Sequence, residues 1–264
     1  MGRLKPAPTF QRIETGMGQT VVDVNDLSRS FGGKTALEGV SFHADAGQVY
    51  GLVGANGAGK TTLLKHLLGL LRAATGSVRV FGLDPVRDAV GVLSRVGYLS
   101  EERELPEWMR VDELMRYTQA FHPTWDAAYA RELLESFALD PSKKVKDLSK
   151  GMRAQAGLIA AVAHRPELLI LDEPSSGLDV HETEQLGEAL RRVRQERGTA
   201  FVLVEHNVEF VLELSERVTV LDFGRVLIQG TPDEVRNSSE VQAAYFGAPV
   251  DGVDVGADGT EESV

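Results

Sequence analysis

The sequence predicts an α/β fold: a largely parallel sheet covered by helices on both faces. Strand-like and helix-like segments alternate along most of the chain, the rhythm that brings successive strands into one parallel sheet. One strand-like run, Leu168–Leu171, is apolar at every position, as a strand buried on both faces requires. The composition, 42% hydrophobic and 25% charged over 264 residues, is that of a globular chain long enough to bury a sizeable core.

In chain order, Val21–Val24 and Val40–Phe42 read as half-buried strands, and Gln48–Val53 as a more buried one. Thr61–Leu71 carries Leu63, Leu64, Leu67, Leu68 and Leu71 at helical spacing. Ser77–Phe81 and Val96–Leu99 are strand-like. Helical periods follow over Val111–Phe121, Asp126–Phe137 and Met152–His164, punctuated by Pro106, Pro123 and Pro141. This block, about 104–165, breaks the alternation and reads as an inserted helical subdomain. After Leu168–Leu171 come an amphipathic helix (Glu182–Arg197), a strand (Ala200–Val204), a short helix (Val208–Leu214) and two closing strands (Val218–Leu221, Val226–Gln229). An antiparallel β edge is expected near the N-terminus. There is no internal repeat.

The ends differ from this middle. Residues 1–19, with Pro6 and Pro8 and no apolar period, read as a flexible leader; residues 248–264, acidic with no basic residue, read as a flexible tail. Residues 20–247 form the predicted domain. No apolar stretch approaches the ~20 residues that span a bilayer, and no secretory signal is visible. The chain contains no cysteine, which excludes disulfides and thiolate chemistry. The net charge of -11, from 28 Lys+Arg against 39 Asp+Glu, repels a phosphate backbone, so nucleic acid is not an expected partner. These features point to the cytoplasm.

The chemistry begins after the Gln48–Val53 strand. Gly54-Ala55-Asn56-Gly57-Ala58-Gly59-Lys60-Thr61 has the spacing G-x-x-x-x-G-K-[ST] between a buried strand and a helix. Glycines let the backbone fold around an anion with its N–H groups turned inward, and the helix N-terminus adds a positive dipole end. Gly54, Ala55, Asn56, Gly57, Ala58, Gly59, Lys60, Thr61 and Thr62 are therefore the candidate nucleotide-binding residues. Lys60 supplies a cation for the terminal phosphates, and the Thr61 hydroxyl a Mg²⁺ ligand. The predicted fold thereby becomes a P-loop NTPase. The Leu168–Leu171 strand ends in Asp172 and Glu173. Asp172 is placed to hold Mg²⁺, and Glu173 to act as general base toward the attacking water. A guanine-reading Asn/Thr-Lys-x-Asp segment is missing; Lys143–Asp147 has the wrong first residue. ATP and Mg²⁺ are the expected ligands.

Leu148-Ser149-Lys150-Gly151-Met152, just before a helix, resembles the signature motif of ABC-transporter ATPases, usually Leu-Ser-Gly-Gly-Gln. Ser176-Gly177-Leu178-Asp179 resembles their D-loop, His206 their switch histidine, and Phe31 their adenine-stacking aromatic. The matches occur in the family's order and span about residues 20–247. Read alone, Ser149 is an N-cap and Gly151 permits close backbone approach. The resemblance implies more: Ser149 and Gly151 complete the site of a second ATPase subunit, Asp179 bridges the two, and His206 steadies the γ-phosphate. Two subunits would then sandwich two nucleotides in an isologous dimer.

The chain departs from the family's pattern at three places. Glu101 stands where the Q-loop has glutamine and could itself ligate Mg²⁺; Lys150 and Met152 replace the third and fifth signature residues; Glu205 precedes His206, where export-type members often have Ser. Glu101–Trp108 and Phe121–Asp126 are similar to export-type members. Val204–Asn207, Val220–Val226, Gly230–Pro232 and Ala244–Gly247 are similar to branched-chain amino-acid importer subunits. The resemblance implies an ATP-hydrolysing subunit that drives integral membrane permease subunits from the cytoplasmic face, with the Q-loop region leaning toward export. The alternatives are a soluble, non-transport ABC ATPase and a low-turnover nucleotide switch.

Overall fold

The computed structural model describes residues 19–102 and 104–246. The tail at 248–264, and all of the leader except Gln19, lie outside them.

A β-hairpin opens the chain: β1 (Thr20–Phe31) and β2 (Lys34–Asp45). Both strands run well past the short apolar alternations that mark them in the sequence. Gly32 and Gly33 close the hairpin at φ 54° and 83°, the left-handed turn that matches strand twist and favours glycine. Phe31 pairs with Lys34 at this tip. With β4 (Thr75–Val80) the hairpin makes a three-stranded antiparallel sheet, order β2-β1-β4.

The second sheet has six strands in the order β5-β6-β7-β3-β8-β9. They are β3 (Val49–Gly54), β5 (Val96–Leu99), β6 (Leu168–Asp172), β7 (Ala200–Glu205), β8 (Arg217–Asp222) and β9 (Arg225–Gly230). β5, β6, β7, β3 and β8 are mutually parallel, and β9 closes the edge antiparallel to β8. The parallel strands are buried on both faces. Val49, Val53, Leu169, Leu171, Phe201 and Leu203 face one apolar cluster with the helices; Tyr50, Leu52, Leu168, Ile170, Val202 and Val204 face the other, toward the antiparallel sheet. This period-two alternation between two cores fixes the register, because a one-residue slip would exchange every side chain between them.

The helices are α1 (Lys60–Leu67), α2 (Ala89–Leu93), α3 (Val111–Gln119), α4 (Ala127–Ser136), α5 (Lys150–Val162), α6 (Val180–Arg197), α7 (Val208–Leu214) and α8 (Pro232–Arg236), followed by the short turns Ser239–Val241 and Gln242–Phe246. α1 stops four residues before the apolar pattern suggests. Gly69, at φ 71°, ends it in the left-handed conformation that terminates helices, and the Leu70 and Leu71 amides turn back to the Lys65 carbonyl. α3, α4 and α5 lie between β5 and β6 and bury their apolar faces, including Leu114, Leu133 and Ile159, in the first core. This is the inserted helical subdomain. No helix among the described residues is long and apolar enough to cross a membrane.

Candidate functional site

β3, β6 and β7 end side by side, with β7 in the middle. Ligand sites of open α/β sheets form at this carboxyl edge. Here it delivers the Gly54–Thr61 loop, the Asp172-Glu173 pair and His206 to one place.

The loop turns at Gly57 (φ 86°) and Gly59 (φ 108°). A Cβ at Gly59 would come 2.6 Å from the Ala36 carbonyl oxygen, so that position tolerates no side chain. Ala58 turns its side chain away from the cleft. Its amide donates to the Ala55 carbonyl (3.0 Å) and its side chain is buried in the core. Gly54 presents its carbonyl, which accepts from Lys60 Nζ at 2.6 Å. The remaining loop residues line an open cleft of about 460 Å³: Ala55, Asn56, Gly57, Gly59, Lys60, Thr61 and Thr62, joined by Phe31, Lys34, Thr35, Ala36, Glu101 and Glu173. That volume lies within the ~300–1,000 Å³ of small-molecule sites. Phe31 stands at the mouth, 45% exposed, with the Arg29 guanidinium 4.8 Å from its ring centroid.

Glu173 joins the edge residues. Its backbone holds φ 45°, rare for a side-chain-bearing residue and costly unless the surroundings enforce it; its amide donates to the Val204 carbonyl at 2.9 Å. One carboxylate oxygen lies 3.2 Å from Lys60 Nζ, and the other accepts from or faces His206 Nδ1 at 3.0 Å. Glu173 and Lys60 are buried while half of the His206 side chain is exposed. Behind them, the buried Glu205 carboxylate accepts from the Ser175 amide at 2.7 Å, tying down the loop after β6; burial pushes its pKa up.

Asp172 is also buried. Burial, then the Glu173 and Glu101 carboxylates, push its pKa up to about 6. The Tyr98 hydroxyl hydrogen-bonds to it, and burial together with Asp172 raises the phenol to about 12. Three carboxylates and the Thr61 hydroxyl are hard oxygen donors in a region of excess negative charge, a set that suits Mg²⁺. Among the described residues no group of three or more His, Cys, Asp or Glu forms a metal site by itself. Mg²⁺ usually takes only one or two carboxylates and completes its shell with water and substrate phosphates.

Ser149, Gly151 and Asp179 are not in this cleft. Ser149 caps α5 through the Met152 amide (3.1 Å), and Asp179 caps α6 through the Glu182 amide (2.8 Å). The Gly151 amide and the Ser149 hydroxyl both donate to Glu182 Oε1, at 3.2 and 3.3 Å. Glu182, like Tyr98, goes unnoticed in the sequence motifs. Its position three residues after Asp179 is the spacing of a capping box, a signal available but not informative about the contact with Gly151. Gly224 is a third such residue. Its amide donates to the Ala58 carbonyl at 3.0 Å and its carbonyl accepts from Glu38 at 2.8 Å, bracing the loop from the β8–β9 turn.

Comparison with known proteins gives a consistent picture. The family described as "ABC transporter" matches residues 37–176. The chain is 35% identical over 260 residues to the daunorubicin resistance ATP-binding protein DrrA3 of Streptomyces coeruleorubidus, covering 92% of this chain and 82% of that one. It is 31% identical to the Nod factor export ATP-binding protein I of Rhizobium etli, covering 92% and 79%. Among solved structures, an ATP-binding subunit of an ABC transporter superposes with a TM-score of 0.75 at 28% identity, covering 86% of this chain and 96% of that one. The cbiO1 subunit of Clostridium perfringens shares the fold at a TM-score of 0.74 and 23% identity, covering 86% and 94%.

Proposed function

The chain belongs to the ABC transporter family as an ATP-binding subunit, and from that premise we propose that it hydrolyses Mg-ATP between two facing copies to drive export through separate permease subunits. The observation that carries the hydrolytic reading is Glu173. One buried carboxylate reaches both the phosphate-loop lysine (3.2 Å) and His206 (3.0 Å), which sets a proton acceptor beside the phosphate loop, where an attacking water would lie.

In this reading residues 20–247 act as one ATPase domain. Phe31 stacks on adenine. The Ala55, Asn56, Gly57 and Gly59 backbone, with Lys60, Thr61 and Thr62, grips the phosphates, while Gly54 and Ala58 hold the loop's shape. Bound Mg²⁺ would neutralise developing phosphate charge, held by Thr61, Asp172 and Glu101. Glu173 accepts the proton of the attacking water, and His206 orients the Glu173 carboxylate and the γ-phosphate. Ser149 and Gly151 present an α5 N-terminus to the nucleotide of the second copy, and Asp179 sets the α6 end at the seam. Such an assembly works at the cytoplasmic face of a membrane, through its permease partners. Export is supported by two relatives named for resistance and export. A non-transport ATPase gains no support from these relatives, and measurable turnover separates the ATPase from a low-turnover switch.

The test is equilibrium ATP binding and steady-state phosphate release, with and without Mg²⁺, for the wild type and Lys60→Ala. Loss of a charge-assisted phosphate contact, worth ~1.5–3 kcal/mol, should weaken ATP binding ~10–100-fold. An unchanged dissociation constant would remove the loop from the binding site.

A further inference from the structure

Glu182 lies outside the nucleotide-binding motifs, yet its carboxylate contacts Ser149, Gly151 and Asp179 together. It sits in the first turn of α6. Its Oε1 accepts from the Gly151 amide at 3.2 Å and the Ser149 hydroxyl at 3.3 Å. Its Oε2 accepts from the Asp179 amide at 3.3 Å. A methyl group added at Gly151 would collide with this same carboxylate, so the absence of a side chain there is what admits it. Ser149 and Gly151 are the donors that the two-copy reading assigns to the γ-phosphate of a facing nucleotide. In this chain a carboxylate of its own already engages both.

We infer that Glu182 is an internal anion that competes with the facing nucleotide's γ-phosphate for the Ser149 hydroxyl and the Gly151 amide, and so sets how much ATP-loaded partner is needed to close the sandwich. The inference rests on the two-copy reading above. The physical argument is short. Two hydrogen-bond donors cannot serve a carboxylate and a phosphate with full strength at once, and two anions at one site repel. Closure therefore requires the Glu182 carboxylate to release both donors. Its remaining anchor, the Asp179 amide, lies on its own helix, so the side chain can let go of α5 without uncapping α6. The capping-box partner that stabilises the first turn of α6 thus doubles as a brake on dimer closure. Its position between α5 and α6 also couples the two segments that meet the partner.

The experiment uses the full chain in a Glu173→Gln background, where hydrolysis is suppressed, and measures the ATP-dependent dimer dissociation constant by sedimentation velocity. Glu182→Gln retains an acceptor for the Asp179 amide and loses the anion. Glu182→Asp retains the charge and the cap but withdraws the carboxylate by one methylene from Gly151. Both should tighten the ATP-driven dimer by about tenfold, the order expected when long hydrogen bonds to a charged group are released, with ATP affinity of the separate chains unchanged. Thermal melts of each variant identify a misfolded protein, and either variant alone suffices for the test. If the Glu173→Gln chain dimerises with ATP and Ser149→Ala weakens that dimer, but neither Glu182 variant tightens it, the brake is overturned and the two-copy reading survives. If ATP binds but no dimer forms in the Glu173→Gln background, both fall together.

Discussion

Glu173→Gln separates the chemical step from binding more cleanly than any other change. The substitution keeps the side chain's shape and removes its charge and basicity. A positioned general base contributes ~10²–10⁴ in rate, equivalent to about 3–5 kcal/mol of barrier, and turnover should fall by that factor. A second consequence comes from the ion pair. Lys60 Nζ has the Gly54 carbonyl at 2.6 Å, the Glu173 carboxylate at 3.2 Å and the Ala55 carbonyl at 3.5 Å. With both side chains buried, removing one partner of the pair is costly to the nucleotide-free protein, by up to ~3–5 kcal/mol for a fully desolvated pair and less here because the Gly54 carbonyl remains. A bound triphosphate supplies the missing negative charge. The variant should therefore melt at a lower temperature than wild type without nucleotide, and gain more from saturating ATP than wild type does. Phosphate release, nucleotide binding and thermal melts with and without ATP read all three quantities. Wild-type turnover in the variant would refute the role given to Glu173. Equal melting temperatures without nucleotide would refute the energetic role given to the pair.

Two further outcomes follow from groups outside the reacting cluster. His164 is buried, its ring stacked on His122 at 3.9 Å, and burial, with a smaller contribution from His122, lowers its pKa from 6.5 to about 4. The unfolded chain then binds a proton that the native state refuses, so stability is retained above pH 6.5 and falls as pH drops toward 4, by about 3 kcal/mol in all. His164→Phe should flatten the difference between urea midpoints at pH 7 and pH 4.5, and an undiminished slope would refute the assignment. Gly224 holds φ 84°, and a Cβ there would come 2.7 Å from the Ala36 carbonyl oxygen. Gly224→Ala should cost ~1–3 kcal/mol through backbone strain and weaken nucleotide binding, because its amide braces Ala58; an unchanged urea midpoint would count against the bracing role.

What the sequence made legible depends on whether the signal is local. The phosphate loop, the Leu168–Leu171 strand and its two carboxylates announce themselves because spacing, burial and chemistry coincide within a few residues; the contact between Lys60 and Glu173 comes from the fold, which sets the two segments side by side. The long β1–β2 hairpin is only partly visible in the sequence, since only part of each strand is apolar; the Gly32-Gly33 turn that extends the pairing to Phe31 is a two-residue signal between weakly patterned flanks. α1 is shorter than its leucine spacing implies, because that spacing persists past Gly69, the residue that stops the helix. The least legible features are contacts between segments far apart in sequence, such as Tyr98 with Asp172 and Gly224 with Ala58. Glu182 is the instructive case. Its local pattern with Asp179 says only that a helix begins there. Its contact with Gly151, across 31 residues, exists because α5 and α6 pack together in the first core. A motif can therefore name the donors of an anion site while the tertiary fold decides which anion they hold first.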